Sequence, residues 1–253
     1  MSDVFKVIIL GLIQGATEFF PVSSSGHLVL LETVLKLKPD LELNVILHMG
    51  TLIATLIFFY KEVWETVRKP KLLISLIVST VVTAFIALPL KSFGFLESKW
   101  VLVPAFSLTL IMLIIAQGKL GGKDEGLSRA LDELEFKDAV VIGIFQGISA
   151  LPGVSRSGST ILASLLLGFK PSESFKVSFV LAVPAILGAF ILEMRELANL
   201  EIGYPLALLG FIVALITGLL SLSMLRWLIK THNFKPFIFW IIGTLSISLW
   251  LCL

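Results

Sequence analysis

Two segments of this chain have similar sequences, and that internal repeat limits how the chain can fold. Residues 11–27 (GLIQGATEFFPVSSSGH) align without a gap with residues 143–159 (GIFQGISALPGVSRSGS) at a constant offset of 132 residues, and seven of the 17 aligned pairs are identical. Each copy is an apolar run, broken by proline and glycine, that opens into a serine-rich turn. Broken apolar segments at matching places in two halves of a membrane protein point to a binding site near the bilayer midplane.

The composition is that of an integral membrane protein. Of the 253 residues, 57% are hydrophobic and only 15% are charged, whereas an ordinary soluble domain carries about 25% charged residues. Six apolar runs are long enough to cross a bilayer, which takes about 20 residues: 43–60, 72–90, 100–117, 174–193, 205–225 and 236–252. The net charge of +2 is too small to suggest nucleic-acid binding, and the single cysteine, Cys252, cannot form an internal disulfide.

The two repeated segments fit poorly as single spans. Proline and glycine after each first apolar run would stop a helix, and Gly26 or Gly158 permits the turn that follows. A second, short apolar run comes next in both copies. We therefore predict two re-entrant helical hairpins, at about 4–36 and about 138–169, whose turns are covered by protein at membrane depth.

The predicted fold class is an all-α polytopic membrane protein with an inverted-topology repeat. Each half is one hairpin plus three transmembrane helices: residues 1–117 form the first repeat, 118–137 a linking loop and 138–253 the second repeat. Because three spans are an odd number, the second repeat would lie inverted, so that the two hairpins enter from opposite faces and their tips meet.

The distribution of lysine and arginine predicts the orientation. The loops on the face that includes 61–71 and 118–137 carry 13 of these residues, and the opposite face, with both termini, carries six. The face richer in lysine and arginine is normally cytoplasmic. Both termini are therefore expected outside.

Glu18 is the first candidate for chemistry. An ionisable residue inside a membrane is by default a functional hypothesis, although a carboxylate at the membrane interface is the plainer alternative. Gln14 lies four residues earlier, on the same helix face. We expect Glu18 to hold a divalent cation, Mg²⁺ or Ca²⁺, with Gln14 as a weaker oxygen ligand.

The serine-rich turn of the first copy ends in a histidine. His27 is suited to proton transfer near neutral pH, and Ser24 lies three residues before it. The attacking group could be Ser24, His27 or an activated water, and a role for His27 as the general base is favoured. His48 begins an apolar span and is interpreted as interfacial, whereas His232 lies in a basic loop.

Arg156 lies in the second turn, in the sequence GVSRSGST. Its planar fork of donors matches phosphate oxygens, and the helix that follows offers free N–H groups to an anion. A structural ion pair between Arg156 and Glu18 is the alternative, and a substrate could displace that pair. The predicted ligands of a diphosphate are Arg156 and the hydroxyl-bearing residues of the two turns: Ser23, Ser25, Ser155, Ser157 and Thr160.

The paired motifs QGATEFFPVSSSGH and PGVSRSG resemble those of the undecaprenyl-diphosphate phosphatase family of the bacitracin-resistance type. The resemblance extends over the chain in length, span count and motif order. It implies a metal-dependent phosphatase of the bacterial cell membrane that releases one phosphate from undecaprenyl diphosphate and so recycles the lipid carrier of cell-wall synthesis. It puts functional roles on Glu18, Ser24, His27, Ser155, Arg156 and Thr160, with Gln14 at a position where many members have glutamate.

A transporter or flippase for a lipid phosphate or a small anion is the rival interpretation. Inverted repeats with opposed re-entrant hairpins are a common transporter plan. Glu18, His27 and Arg156 would then couple protons and bind the anion.

The partners expected for the phosphatase are undecaprenyl diphosphate and membrane lipid but no nucleic acid, and a homodimer is left open.

Overall fold

The computed structural model describes residues 2–37, 40–92, 99–121, 126–193 and 202–252. Within these ranges the regular structure is helical, apart from one isolated β-bridge between Arg129 and Phe169. The helices are α1 (Asp3–Thr17), α2 (Ser24–Val34), α3 (Leu41–Phe58), α4 (Tyr60–Arg68), α5 (Pro70–Ser92), α6 (Leu102–Gly121), α7 (Phe136–Ile148), α8 (Arg156–Leu166), α9 (Pro171–Glu193), α10 (Tyr204–Lys230) and α11 (Lys235–Cys252).

Six helices among the described residues are long and apolar enough to cross a membrane, namely α3, α5, α6, α9, α10 and α11. Their most apolar 18-residue windows have mean hydropathies of 1.5 to 2.4. They coincide with the six predicted runs, which confirms the all-α, multi-pass fold class.

The repeated segments form two short helical pairs. Helices α1 and α2 have 15 and 11 residues, and α7 and α8 have 13 and 11. At about 1.5 Å per residue, each is shorter than the ~30 Å hydrocarbon core of a bilayer. Within each pair the helices pack against each other, as expected for the two predicted hairpins.

Serine side chains start the second helix of each hairpin. The Ser23 hydroxyl accepts a hydrogen bond from the Gly26 backbone N–H (3.4 Å), and the Ser155 hydroxyl accepts one from Gly158 (3.1 Å). Such N-caps pair backbone donors that a helix leaves free at its first turn. The serine-rich turns therefore fold into helix starts at the two hairpin tips.

The two halves interlock through glycines. A Cβ atom on Gly15 of α1 would lie 2.7 Å from the Thr217 side chain of α10, and one on Gly147 of α7 would lie 2.6 Å from the Ile86 side chain of α5. The hairpin of each half therefore packs directly on a spanning helix of the other half. Corresponding residues of the repeat thus make corresponding contacts, while the inversion of one half relative to the other stays a prediction.

The segment between the halves is tied to the second hairpin by an ion pair. Arg129 Nη1 donates to Asp138 Oδ1 (3.1 Å) and to the Leu167 carbonyl oxygen (3.0 Å). The hydrogen bond to Asp138 raises the pKa of the Arg129 guanidinium above its usual value. The Arg129 side chain thereby joins the start of α7 to the end of α8.

Residues 93–98, 122–125 and 194–201, which belong to loops used to predict the orientation, lie outside the described residues, so the orientation stays a prediction.

Candidate active site

The tips of the two hairpins are in direct contact. The Gly153 backbone N–H donates to the Ser23 hydroxyl (3.1 Å), and the Ser157 hydroxyl donates to the Phe20 carbonyl oxygen (3.1 Å). A Cβ atom on Gly26 would lie 2.7 Å from the Gly153 Cα. Ser23 has a φ of 71° and Gly153 a φ of 99°, and a non-glycine residue such as Ser23 holds a positive φ only where its surroundings impose it. The predicted meeting of the two repeated segments is therefore confirmed.

A threonine of α6 fixes the second tip. The Thr109 hydroxyl donates to the Gly153 carbonyl oxygen (2.7 Å) and accepts from the Ser155 backbone N–H (3.0 Å). Thr109 is fully buried. Nothing in the sequence sets it apart from other threonines in apolar spans, so sequence reasoning did not find it.

A cavity of about 310 Å³ lies beside the joined tips. The predicted site residues that line it are Glu18, Ser23, Ser24, Ser25, Ser155 and Arg156. Gln14, His27, Ser157 and Thr160 are not among its lining residues. The cavity therefore brings together groups from both copies of the repeat, 132 residues apart in the aligned sequence.

Glu18 is the centre of the polar contacts around the cavity. Its Oε1 accepts from Arg156 Nη2 (2.7 Å), and its Oε2 accepts from the Ser24 hydroxyl (2.5 Å) and from Gln14 Nε2 (2.9 Å). Glu18 is only 7% exposed. The ion pair that was an alternative in the sequence is thus present, and it joins the two hairpins.

Arg156 uses only part of its donor capacity in this ion pair. Its Nη1 is buried without a hydrogen-bond partner among the described residues, and its guanidinium carbon lies 5.8 Å from the centre of the Phe179 ring. An unpaired buried donor costs about 1–3 kcal/mol. A phosphate oxygen is a natural ligand for such a guanidinium, since it accepts charge-assisted and often paired hydrogen bonds.

His27 makes its hydrogen bonds away from the cavity. Its Nδ1 donates to the Ser23 carbonyl oxygen (2.7 Å), and its Nε2 accepts from the Trp240 indole (2.8 Å). Both ring nitrogens therefore have hydrogen-bond partners, and the Ser24 hydroxyl donates its hydrogen bond to Glu18. In this structure His27 holds the first tip against α11, and its role as the general base stays a prediction.

The other predicted site residues, Gln14, Ser157 and Thr160, do not line the cavity and instead make hydrogen bonds that hold Glu18 and the hairpin tips in place. The amide of Gln14 holds Glu18 through Nε2, while its Oε1 is buried without a hydrogen-bond partner among the described residues. The Thr160 hydroxyl bonds to the Arg156 carbonyl oxygen and to Ser178 within the helical core, and the Ser157 hydroxyl reaches Phe20. In this conformation these side chains position Glu18 and the turns.

His48, which the sequence did not place at the site, lines the cavity and lies beside Glu18. Its Nδ1 donates to the Asn44 carbonyl oxygen (2.7 Å), which leaves Nε2 directed at Glu18 Oε2, 3.8 Å away. The fold of α3 against α1 brings the two side chains together, 30 residues apart in sequence. A protonated His48 would add a positive charge beside Glu18 and Arg156.

The second repeat also supplies an amide that the predictions did not include. Gln146, the counterpart of Gln14, lines the cavity, and its Nε2 donates to the Thr83 hydroxyl (3.0 Å). Thr83 in turn donates to the Ser79 carbonyl oxygen (2.7 Å). The alignment of the two copies was the signal that could have identified Gln146, because the glutamine is one of the identical pairs.

Comparison with known proteins places this chain in a family. A family model described as "Bacitracin resistance protein BacA" matches residues 7–246. The chain belongs to the BacA family. Among its relatives, proteins named "Undecaprenyl-diphosphatase" are 38% identical in Thermosipho melanesiensis (91% of this chain and 92% of the relative), 36% in Carboxydothermus hydrogenoformans (94% of each) and 34% in Halothermothrix orenii (98% of each). The BacA match thus confirms the resemblance carried by the paired motifs.

Proposed function

We propose that this protein is an integral membrane phosphatase that hydrolyses undecaprenyl diphosphate to undecaprenyl phosphate and inorganic phosphate. The observation that carries the proposal is the contact of Ser24, Glu18 and Arg156 at one cavity. The names of the BacA relatives favour this function over a transporter. By this proposal the protein recycles the lipid carrier in a bacterial cell membrane, with both termini outside.

Arg156 grips the terminal phosphate in this mechanism. The substrate's phosphate oxygens take the place of Glu18 Oε1 on the guanidinium, and Nη1 gains the partner that it otherwise lacks. The N-terminus of α8, which begins at Arg156, adds backbone donors that favour the same anion. Phosphoryl transfer depends largely on such positioning and on neutralising charge.

Ser24 is the nucleophile that the hydrogen bonds favour. Its Oγ attacks the terminal phosphorus while its proton passes to Glu18 Oε2, which already accepts that hydrogen bond. The bond to the bridging oxygen breaks, and undecaprenyl phosphate leaves. Glu18 passes the proton that it took from Ser24 to the leaving phosphate oxygen. Water then attacks the phosphoserine, Glu18 takes one proton of that water and returns it to the departing Ser24 oxygen, and inorganic phosphate and the Ser24 hydroxyl result.

A divalent cation, Mg²⁺ or Ca²⁺, is part of the proposal. Its protein ligands would be the Glu18 carboxylate and the otherwise unpaired Gln14 Oε1, with phosphate oxygens supplying further ligands. When bound, such an ion neutralises the charge that the diphosphate brings into the cavity. Among the described residues, no group of three or more His, Cys, Asp and Glu side chains could hold it alone.

Phosphate release by the purified protein tests the function. Undecaprenyl diphosphate in detergent should yield inorganic phosphate in a reaction that EDTA stops and Mg²⁺ or Ca²⁺ restores. Ser24→Ala should remove the activity, whereas Ser246→Ala, at an exposed serine of α11, should not. Rapid quenching with substrate labelled in the terminal phosphate should trap phosphoserine at position 24. Movement of lipid or anion across vesicles without phosphate release would instead support the transporter.

A further inference from the structure

The cavity has an apolar side formed by two spanning helices. Besides the polar tips, it is lined by Ala87 of α5 and by Ala185, Ile186, Ala189 and Phe190 of α9. Its volume of about 310 Å³ is at the small end of ligand pockets, which span ~300–1,000 Å³. A diphosphate fits such a space, but a long polyprenyl chain does not, so the chain must leave the cavity through one of its walls.

We propose that the polyprenyl chain of the substrate leaves the cavity between α5 and α9, and that this gap is the site that accepts a lipid. The inference rests on the proposed function, and it assigns the route of the chain and the side chains that select for it. Three of the residues with which α5 and α9 line the cavity are alanines, at positions 87, 185 and 189, and such small side chains take up little space between two helices.

The two helices share a buried apolar cluster at one end and line the cavity at the other. Leu72 of α5 belongs to the same buried cluster as Val177, Val180 and Leu181 of α9. One to two turns further along α9 comes Pro184, and the residues just after it line the cavity. A proline within a helix removes a backbone hydrogen bond and is a usual cause of a bend. Pro184 therefore marks the boundary between the end that shares the cluster and the end that lines the cavity.

The other copy of the repeat has the corresponding gap closed. By the 132-residue offset of the repeat, α10 corresponds to α5, and α9 corresponds to α3. A Cβ atom on Gly50 of α3 would lie 2.6 Å from the Phe211 carbonyl oxygen of α10, and one on Gly218 of α10 would lie 3.2 Å from the Ala54 Cβ of α3. Leu52 stands where the other copy has Pro184. Helices α3 and α10 thus touch through their backbones and leave no room for a chain.

Aromatic side chains fill the space next to this closed interface. The Phe59 and Phe179 rings stack at 5.5 Å, and Phe19 lies 5.7 Å from Phe179. All three are almost fully buried. Of the two related gaps, the one between α5 and α9 therefore remains for the polyprenyl chain.

The gap continues into a surface that suits an isoprenoid. The faces of α5 and α9 outside the cavity expose large apolar side chains: Val81, Phe85, Leu88, Leu187, Ile191 and Leu192. No charged residue of the described part of the chain lies between residues 72 and 90 or between 177 and 192. The diphosphate can thus enter the cavity while its polyprenyl chain stays among the lipid tails.

Narrowing the gap should separate long substrates from short ones. Ala87→Phe and Ala189→Phe should lower kcat/KM for undecaprenyl diphosphate about tenfold or more, while hydrolysis of dimethylallyl diphosphate, a short water-soluble diphosphate, changes less than about twofold. The matched control is Ile74→Phe, at an exposed position near the start of α5 and away from the cavity-lining end, which should affect neither substrate. Equal losses on both substrates, or no loss on either, would overturn the proposal.

A reversible cross-link removes any dependence on how the variants fold. Ala87→Cys and Ala189→Cys, in a Cys252→Ser background, are joined by a bismaleimide that contains a cleavable disulfide. Joining should stop hydrolysis of the long substrate only, and dithiothreitol should restore it in the same sample. Full activity on the long substrate after complete cross-linking would disprove the route. If the unmodified protein hydrolyses neither diphosphate, the proposed function itself fails.

Discussion

Glu18 is the residue on which the chemistry of this site depends. It is a buried carboxylate that contacts a guanidinium, a hydroxyl and an amide at once, with an imidazole nearby. Removing one member of a buried ion pair leaves an uncompensated charge, so single substitutions there act strongly. Substitutions that keep the shape or the charge are therefore the informative ones.

Arg156→Lys tests the grip on phosphate. Lysine keeps the positive charge but loses the planar fork of donors, so we expect kcat/KM to fall about a hundredfold, which is typical of losing a group that stabilises transition-state charge. Phosphate release is the measurement, and detergent-extracted yield confirms insertion. Arg226→Lys, at an exposed arginine of α10, is the control. Turnover within a few-fold of the parent would show that Arg156 does not hold the phosphate.

Glu18→Gln tests the cation. The amide keeps the size of the side chain and removes the negative charge, so the Mg²⁺ or Ca²⁺ concentration for half-maximal activity should rise at least about tenfold, or activity should disappear. A metal titration of phosphate release measures this shift, and Glu42→Gln at the start of α3 is the control. An unchanged titration would make Glu18 only the partner of Arg156.

Part of this site can be predicted from the sequence, because each copy of the repeat carries a charged residue that the other copy lacks. Glu18 and Arg156 stand out as charged residues within apolar segments, and Ser24 lies in the turn that also contains a conspicuous histidine. His48 and Thr109 could not be predicted, since only packing brings α3 and α6 to the tips. The partner of His27, Trp240, is 213 residues away and leaves no local signal.

The hairpin tips are the elements that make one site from two repeats. Their helix boundaries follow from proline, glycine and the N-capping serines, all visible in the sequence. The closeness of the tips depends on residues without side chains, because a Cβ on Gly26 would meet the Gly153 backbone at 2.7 Å. A single methyl group is therefore enough to separate them.

Gly26→Ala should push the tips apart, lowering the thermal unfolding midpoint and removing most of the activity. Gly243→Ala in α11 is the matched control, because its added Cβ would have nothing within 4 Å and alanine favours a helix over glycine by about 1 kcal/mol. Thermal unfolding in detergent and phosphate release measure the two effects. A Gly26→Ala protein as active and stable as the Gly243→Ala protein would contradict the close approach.

The whole molecule consists of two halves, and the hairpin of each half packs on a spanning helix of the other half. The first hairpin packs on α10 of the second half, and the second hairpin packs on α5 of the first. The sequence predicts the six spans from length and hydropathy, the hairpins from the proline and glycine that follow each first apolar run, and the meeting of their tips from the odd number of spans in each half. It does not predict which spans flank each hairpin, since apolar spans carry little information about their neighbours.

Cutting the chain between the halves should therefore not separate them. A protease site inserted after Gly121 can be cleaved in the purified protein, and the two fragments should elute together and retain phosphate release, because each hairpin stays held by the other half. The uncut protein with the same insertion is the control. Fragments that elute separately in mild detergent would show that the interlocking contacts are weak.

The packing of each hairpin on the other half also has a consequence for biosynthesis. A ribosome finishes the first hairpin long before it makes Arg156, which follows Glu18 by 138 residues, or α10, which ends at Lys230. A lone charged side chain at the centre of a bilayer costs about 2.5–3.5 kcal/mol in translocon-insertion measurements. We therefore expect the nascent hairpin to stay at the membrane surface, or beside the insertion machinery, until α10 has been made and can pack against it; insertion of a fragment that ends before α10 would contradict this.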